Sequence, residues 1–455
     1  MIWLKRISKY LLLLLLGLLV FYAVARLGVV YFDSQLEGER APYIQMTTPT
    51  SAIIRWQTRE ESIGSVRLGE SLQQLDQVVT EASATRLHSV RIDKLKADTP
   101  YYYAVADNRG GQFGAAESYR FRTSPVTGTQ RPTRIWVMGD SGDAGPVLDG
   151  VRDAMQQWVA QHPRAGYPDL DVWLSLGDLA YTSASDNQFQ KSLFDTFPQQ
   201  LRRVALWPVY GNHDARRWTY FRLFDLPGQG EAGGVPSGTE NYYSFDFGAV
   251  HFIMLDSESS SSAPDSDMYE WLARDLLKNK SQWLIAVFHH PPYSKGTHDS
   301  DSRRGSNAGM VAMRENIVPL LEAAGVDLVL SGHSHMYERS WLLDCHYGDS
   351  TTFGPNRIVS DGINHLNAEY LKPLQNTAHG GAVYVVAGSA SKVDQGPINH
   401  PAMPVSMLEA GSLVIDIDGN QLTTRFINDK DEVKDMFTIT KQSGYVSGYA
   451  GCKGE

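Results

Sequence analysis

The sequence predicts an α/β protein in two parts, a small β-sandwich followed by a larger domain in which strands alternate with helices. Three observations carry that expectation. Residues 38–124 contain short segments of alternating polarity separated by turns, residues 133–430 alternate apolar runs with helical patterns, and the chemistry-bearing residues sit at or just past the ends of those runs. A chain of 455 residues is long enough for two or three domains with a sizeable core.

At the N-terminus, Lys5, Arg6 and Lys9 precede the apolar run Leu11–Ala25; Arg26 interrupts it and Leu27–Phe32 resumes it. Basic residues before a leucine-rich stretch mark an export segment rather than a buried core helix. The short core ending at Ala23-Val24-Ala25 fits a cleavable signal peptide, whereas the whole span could cross a bilayer as a retained anchor, so residues 1–32 are expected to be one or the other.

In the first folded part, strands are expected at Ala52–Trp56, Ser65–Leu68, Leu87–Ile92, Tyr101–Ala106 and Tyr119–Thr123. Tyr101-Tyr102-Tyr103 reads as core packing. The Thr99-Pro100-Tyr101-Tyr102 stretch resembles a fibronectin type III module, and no catalytic cluster is visible in it. A Pro/Gly/Thr-bearing linker from Ser124 to Pro132 closes this part.

The larger domain begins at the run Ile135–Met138. Helical periodicity is expected at Val147–Ala160, Met268–Lys278 and Met310–Ala324, and strands at Val172–Leu176, Val204–Tyr210, His251–Leu255, Trp283–Phe288 and Leu328–Leu330. Ala382–Ala387 and Leu413–Ile417 are read as completing the second sheet, Ser257–Asp267 as a mobile surface loop, and residues 431–455 as a C-terminal tail whose end, Lys441–Glu455, is peripheral or docks by its Tyr residues. Cys345 and Cys452 have no metal-like spacing; a pair pinning the tail and two free buried thiols both remain open.

Five blocks carry metal-binding side chains: Gly139-Asp140-Ser141-Gly142, Gly177-Asp178-Leu179-Ala180-Tyr181, Gly211-Asn212-His213-Asp214, His289-His290-Pro291-Pro292-Tyr293 and Gly332-His333-Ser334-His335. Two neighbouring cations repel, so a site holding both needs anionic oxygen ligands, one of them shared. Asp140, Asp178 and a deprotonated Tyr181 can supply that charge, while histidines and the Asn212 amide complete coordination without cancelling it. A single Gly-Asp pair is more often a turn than a ligand; the co-occurrence of the blocks reverses that weighting. His289 and His290 are strand-end neighbours that point to opposite faces, so only one of them can ligate.

With GDSG, GDLAY, GNHD and GHSH in this order, and a His-x-Pro feature at His289 before the last of them, the chain over about residues 40–430 resembles the purple acid phosphatases among the calcineurin-like metallophosphoesterases. The resemblance implies a catalytic α/β/β/α sandwich of two mixed sheets behind the β-sandwich. It implies one ion on Asp140, Asp178, Tyr181 and His335 and a second on Asp178, Asn212, His289 and His333, with Asp178 bridging. The usual Val-x-x-His spacing would instead select His290, while His-x-Pro selects His289. The Tyr181 position implies Fe(III), with Zn, Fe(II) or Mn as the divalent partner, and a metal-bound hydroxide as nucleophile. His213, with Asp214 orienting its ring, and His298 are the candidates to assist the leaving alcohol.

The expected activity is hydrolysis of phosphate esters, phosphomonoesters first, outside the cytoplasm. A phosphodiesterase or nucleotidase would use the same metals, and a non-catalytic extracytoplasmic binding protein is the alternative of another class. The net charge of -10 argues against a nucleic-acid backbone as partner. His88, His162, His251, His346, His365, His379 and His400 read as surface or packing residues, and Arg216 and Arg217 as a solvated turn.

Overall fold

The computed structural model describes residues 2–34, 38–362, 367–449 and 451–452; His365 lies outside them. Ile2–Ser34 is one helix, and within it Lys9–Gly28 is long and apolar enough to cross a membrane and has no residue buried against the rest of the chain. Uncovered leucines at this density need an apolar surrounding other than this protein's own core.

The sandwich comprises a three-stranded sheet (Arg40–Gln45, Ser51–Ser62, Thr85–Asp93) and a five-stranded sheet built around Gly64–Gly69 and Pro100–Asp107. Alternation places Tyr101 and Tyr103 inward, where they stack and tilt against Phe121. The two domains share one core and are stitched by named contacts. Tyr43 donates to the Leu223 carbonyl at 2.9 Å, Tyr103 donates to the Arg202 carbonyl at 3.1 Å, and Arg55 pairs with Asp225 at 3.1 Å. Arg131, from the linker, bridges Asp98 of the sandwich and Asp171 of the larger domain.

The larger domain contains two mixed sheets. One runs Leu206–Pro208, Val172–Ser175, Thr133–Met138, Gly411–Asp418, Gln421–Asn428, Val433–Gln442 and Asn367–Pro373 in spatial order. The other runs Tyr243–Phe247, Val250–Leu255, Trp283–Phe288, Leu328–Ser331, Ala382–Ala387, Tyr337–Leu343 and Ile358–Ser360, with Val405–Met407 paired to Tyr337–Leu343. Thr133–Met138, Val172–Ser175 and Leu206–Pro208 are parallel neighbours, as are Trp283–Phe288 and Leu328–Ser331. Every residue of these five strands is buried, which is why they read as continuous apolar runs. The helix Pro146–Gln161 buries Leu148, Val151, Ala154, Met155, Trp158 and Val159, the spacing of a single apolar face.

Three expectations need correction. Ala382–Ala387 and Leu413–Ile417 belong to different sheets. The segment 431–455 is not a tail throughout, since Val433–Gln442 is an internal strand pairing with both Gln421–Asn428 and Asn367–Pro373. Its Lys441 is buried with Lys372 around Asp327, at 2.7 and 2.8 Å, an ion cluster joining the two sheets that only tertiary folding can assemble. The Ser257–Asp267 segment is anchored rather than free: Asp256 accepts from the backbone N–H groups of Glu258 and Ser259 and from the Ser260 hydroxyl. Beyond the last strand, Cys452 is bonded to Cys345 across 107 residues, which ties the chain end to the second sheet.

His251 shows how buried polarity fixes a helix to a sheet. Its ring is held between Asp246 at 2.6 Å and Asp275 of the helix Asp267–Lys278 at 2.8 Å. Burial alone would lower its pKa, but the two carboxylates outweigh burial and raise it to about 9. Because the unfolded value is about 6.5, the stabilisation is complete below that pH and is lost as pH rises through about 9. In urea unfolding, His251→Gln is therefore expected to show its largest stability deficit near pH 6 and a deficit that shrinks toward pH 9; a deficit independent of pH would contradict the charged pairing.

Candidate metal centre

The ligand-bearing loops leave the C-terminal ends of adjacent parallel strands, three in the first sheet and two in the second, so the two sheet edges face one another across the site. Asp140 follows Thr133–Met138, Asp178 and Tyr181 follow Val172–Ser175, and Asn212 follows Leu206–Pro208. His289 follows Trp283–Phe288, and His333 and His335 follow Leu328–Ser331. The chain turns abruptly at these ends: Asp140, Asp178 and His333 have φ of 56°, 54° and 65°, in the left-handed region that non-glycine residues rarely occupy. Strain at three ligand positions at once is retained because the surrounding loops enforce it.

Ligand atoms of Asp140, Asp178 and His289 all lie within 4.8 Å of one another. On one side, Tyr181 donates to Asp140 Oδ1 at 3.0 Å, and His335 Nε2 is 3.1 Å from the Tyr181 hydroxyl and 3.4 Å from Asp140 Oδ1. On the other, Asn212 Oδ1 is 3.1 Å from His289 Nε2 and 3.0 Å from His333 Nδ1, and His289 Nε2 is 3.6 Å from Asp178 Oδ2. Asp178 lies between the two groups. The structure thus places Asp140, Tyr181 and His335 together on one side and Asn212, His289 and His333 on the other, with Asp178 near both Asp140 and His289.

The adjoining contacts orient them. His289 donates from Nδ1 to the Leu176 carbonyl at 2.7 Å, which leaves its Nε2 lone pair for the site. His335 is held at Nδ1 by Asp394, which also accepts from the Thr297 hydroxyl at 3.2 Å. Asp140 Oδ2 accepts from the His333 N–H at 2.8 Å and Asp178 Oδ1 from the His213 N–H at 2.8 Å. The motif glycines are required by close approach: a Cβ at Gly211 would lie 2.3 Å from Asp178 Oδ1, and one at Gly332 would lie 2.5 Å from Asp140 Oδ2.

The electrostatics fit a pair of cations. Burial, then Asp140 and Asp178, raise the Tyr181 pKa far above its ordinary value, so only a cation at the hydroxyl would ionise it. Burial and the surrounding rings of His290, His289, His298 and His335 depress His333, keeping it the neutral imidazole that a metal requires. Oxygen donors outnumber imidazoles around Tyr181, whereas the group around Asn212 mixes oxygen donors with the imidazoles of His289 and His333.

His290 is buried beside the cluster but turned away from it, with Nδ1 2.9 Å from the Ser257 hydroxyl. His213 packs edge-on against Tyr181 with ring centroids 4.7 Å apart, and its Nε2 is 4.0 Å from Asp178 Oδ2. Asp214 does not orient it. That carboxyl is fully buried and accepts from the Leu179 and Gly211 N–H groups at 3.0 and 3.2 Å, while His213 Nδ1 donates to the Thr182 carbonyl at 2.8 Å. The N–H groups of the two ligand loops capture Asp214 because it follows a tight turn that points it into the protein; burial and Asp178 raise its pKa to about 8. His298 reaches the site from the other side, its ring centroid 3.8 Å from that of His333 and its Nδ1 held by Asn307 at 3.0 Å.

Sequence reasoning missed Asp394 and Lys392, whose ammonium lies 3.9 Å above the Tyr181 ring. Both come from a loop of Ser, Gly and Pro with no motif or periodicity to mark it. Of the remaining histidines, His88 stacks on Trp56 and His346 on Tyr293, and His400 is buried near them. Asp344, Cys345, His379 and Cys452 also cluster, but their sulfur atoms are consumed by the disulfide.

Residues 133–337 match the sequence model of the calcineurin-like phosphoesterases, and residues 40–123 match that of the purple acid phosphatase N-terminal domain. Purple acid phosphatase 18 of Arabidopsis thaliana is 31% identical over 302 residues, covering 63% of this chain and 61% of that protein. Acid phosphatase type 7 of Homo sapiens is 28% identical over 279 residues, covering 56% of this chain and 57% of that protein. The chain thus spans about 61% of the length of the former relative. Among solved structures, purple acid phosphatase PPD1 from yellow lupin (Lupinus luteus) seeds superposes with a TM-score of 0.65 at 19% identity, covering 90% of this chain and 78% of that one, and so shares the fold. Taken with the two matched domains in sequence, this makes the chain similar to the purple acid phosphatases, with a calcineurin-like phosphoesterase domain at residues 133–337 behind a purple acid phosphatase N-terminal domain at residues 40–123.

Proposed function

We propose that this protein hydrolyses phosphate monoesters at a dinuclear metal centre, on the non-cytoplasmic side of a membrane to which its N-terminal helix directs or anchors it. The observation that carries the reading is the convergence of Asp140, Asp178, Tyr181, Asn212, His289, His333 and His335 from five strand ends into two adjoining donor sets that share Asp178. Asp140, Asp178, Tyr181 and His335 would hold Fe(III), and Asp178, Asn212, His289 and His333 a divalent Zn, Fe or Mn ion. When bound, such a pair supplies Lewis acidity toward phosphate oxygens and lowers the pKa of a coordinated water.

The protein's own contribution is orientation and proton handling. The Leu176 carbonyl and Asp394 fix the ring orientations of His289 and His335. His213, with Nδ1 donating to the Thr182 carbonyl, turns Nε2 to the site, and as an imidazolium it would donate that second proton to a phosphate oxygen or to the departing alkoxide; His298 lines the opposite side. Asp214 braces the Asn212 loop through the Gly211 and Leu179 N–H groups rather than acting on substrate.

The decisive assay is p-nitrophenyl phosphate hydrolysis by the purified chain before and after chelation, with iron plus zinc or manganese restored. Chelator-sensitive, metal-restored turnover is expected, with bis(p-nitrophenyl) phosphate cleaved more slowly; the absence of turnover would favour a binding role. Asp178→Asn should lose metal and activity together, by more than about 100-fold. Gly211→Ala, which drives a methyl group into the Asp178 carboxylate, should weaken metal affinity by about 10–100-fold while leaving the fold intact by circular dichroism. Metal analysis of His289→Ala should show far greater loss than His290→Ala, and the reverse order would reassign the ligand. An iron-loaded protein should absorb visible light through the Tyr181 phenolate, and Tyr181→Phe should abolish that band.

A further inference from the structure

A cleft of about 530 Å³ opens beside Asn212, and its walls carry chemistry that the metal centre does not use. Arg216 projects from the 211–217 loop on one side, and Glu258 comes from the anchored segment after Asp256 on the other. Between them lie the hydroxyl-bearing Ser257 and Ser306, and the remaining wall is small, formed by residues such as Ala308 and Gly309. No aromatic or large aliphatic side chain is among the lining residues.

The two charges are available. Arg216 is exposed, and its guanidinium makes no hydrogen bond or ion pair among the described residues. The Glu258 side chain is 30% exposed, with His290 Nε2 3.6 Å from its carboxylate. A leaving group in this cleft therefore meets one cation, one carboxylate and hydroxyl groups, and finds only small alanine methyl groups as apolar surface.

We infer that this cleft is a leaving-group subsite for small zwitterionic alcohols, so that the favoured monoesters are those of amino-acid type, with the alcohol's carboxylate paired to Arg216 and its ammonium to Glu258. The inference rests on the hydrolase reading above and adds the substrate class. A neutral polyol gains neither pairing, an aryl alcohol lacks an apolar wall, and an alcohol with only an anion meets Glu258 as well as Arg216.

The test compares kcat/KM for O-phosphoserine and glycerol 3-phosphate on the metal-loaded full chain. The wild type should prefer O-phosphoserine by about 10-fold or more, consistent with two partly exposed charge pairs, and added salt should reduce the preference. Arg216→Ala and Glu258→Gln should each cut the ratio by about 3–5-fold, and Arg216→Lys should recover part of it. Because the readout is a ratio within each variant, damage to folding or metal loading lowers both rates and cancels. Equal rates on the two esters in the wild type, or variants that slow both equally, would overturn the subsite. If O-phosphoserine, glycerol 3-phosphate and p-nitrophenyl phosphate were all left intact, the hydrolase reading itself would fall and the subsite with it.

Discussion

The enclosure of two aspartates of like charge in one water-poor cleft is the constraint on which the rest of the molecule depends. Asp140 and Asp178 have essentially no solvent exposure, and their oxygens are within reach of one another and of His289. Burying carboxylates side by side is costly unless positive charge or donors compensate. Here backbone N–H groups of His333 and His213 each take one oxygen, and the remaining valence points into a common space. The left-handed backbone at both aspartates, and the glycines that face them, follow from that need: side chains converge only if the loops turn sharply and pack without Cβ atoms between them.

This requirement organises the fold around it. Loops that must be accurate are placed at the ends of fully buried parallel strands, whose positions are set by packing on both faces. Stacking of Trp136 on Trp173, from neighbouring strands, fixes the register of the two that deliver Asp140 and Asp178. The second sheet must hold its own edge against the first, and the buried cluster of Asp327 with Lys372 and Lys441, which come from strands of the first sheet, contributes to that. The β-sandwich bears on the loops between Asp186 and Asp225 through Arg40 and Arg55, and so braces the side of the larger domain that carries the GNHD loop.

The cleft beside Asn212 follows a different logic. Its two charged walls are side chains of exposed loops, where substitution costs the fold little. Chemistry held by strand ends and selectivity held by loops is a division that lets one metal site serve different esters.

Much of this was legible in the amino-acid order. The apolar runs marked buried strands, their alternation with helical patterns marked an α/β domain, and the motifs at strand ends marked the residues that the fold brings together, because local periodicity and short-range turn chemistry are encoded over a few residues. Other features were not. The strand Val433–Gln442 was hidden because its inward and outward positions mix Lys, Asp and Thr, and its Lys441 is buried only by virtue of an aspartate more than a hundred positions away. Asp214 was read as steering His213, yet the fold turns it toward the N–H groups of two loops. Asp394 and Lys392 carry no local signal, since their place at His335 and Tyr181 depends on where a distant loop crosses the sheet edge. The sequence alone thus determined which metal-binding side-chain types stand in its motifs and on what kind of element each resides; only the tertiary structure decided which of them touch, because contact between remote segments is set by the packing of whole sheets and by the balance of buried charge, neither of which is written in any short stretch of chain.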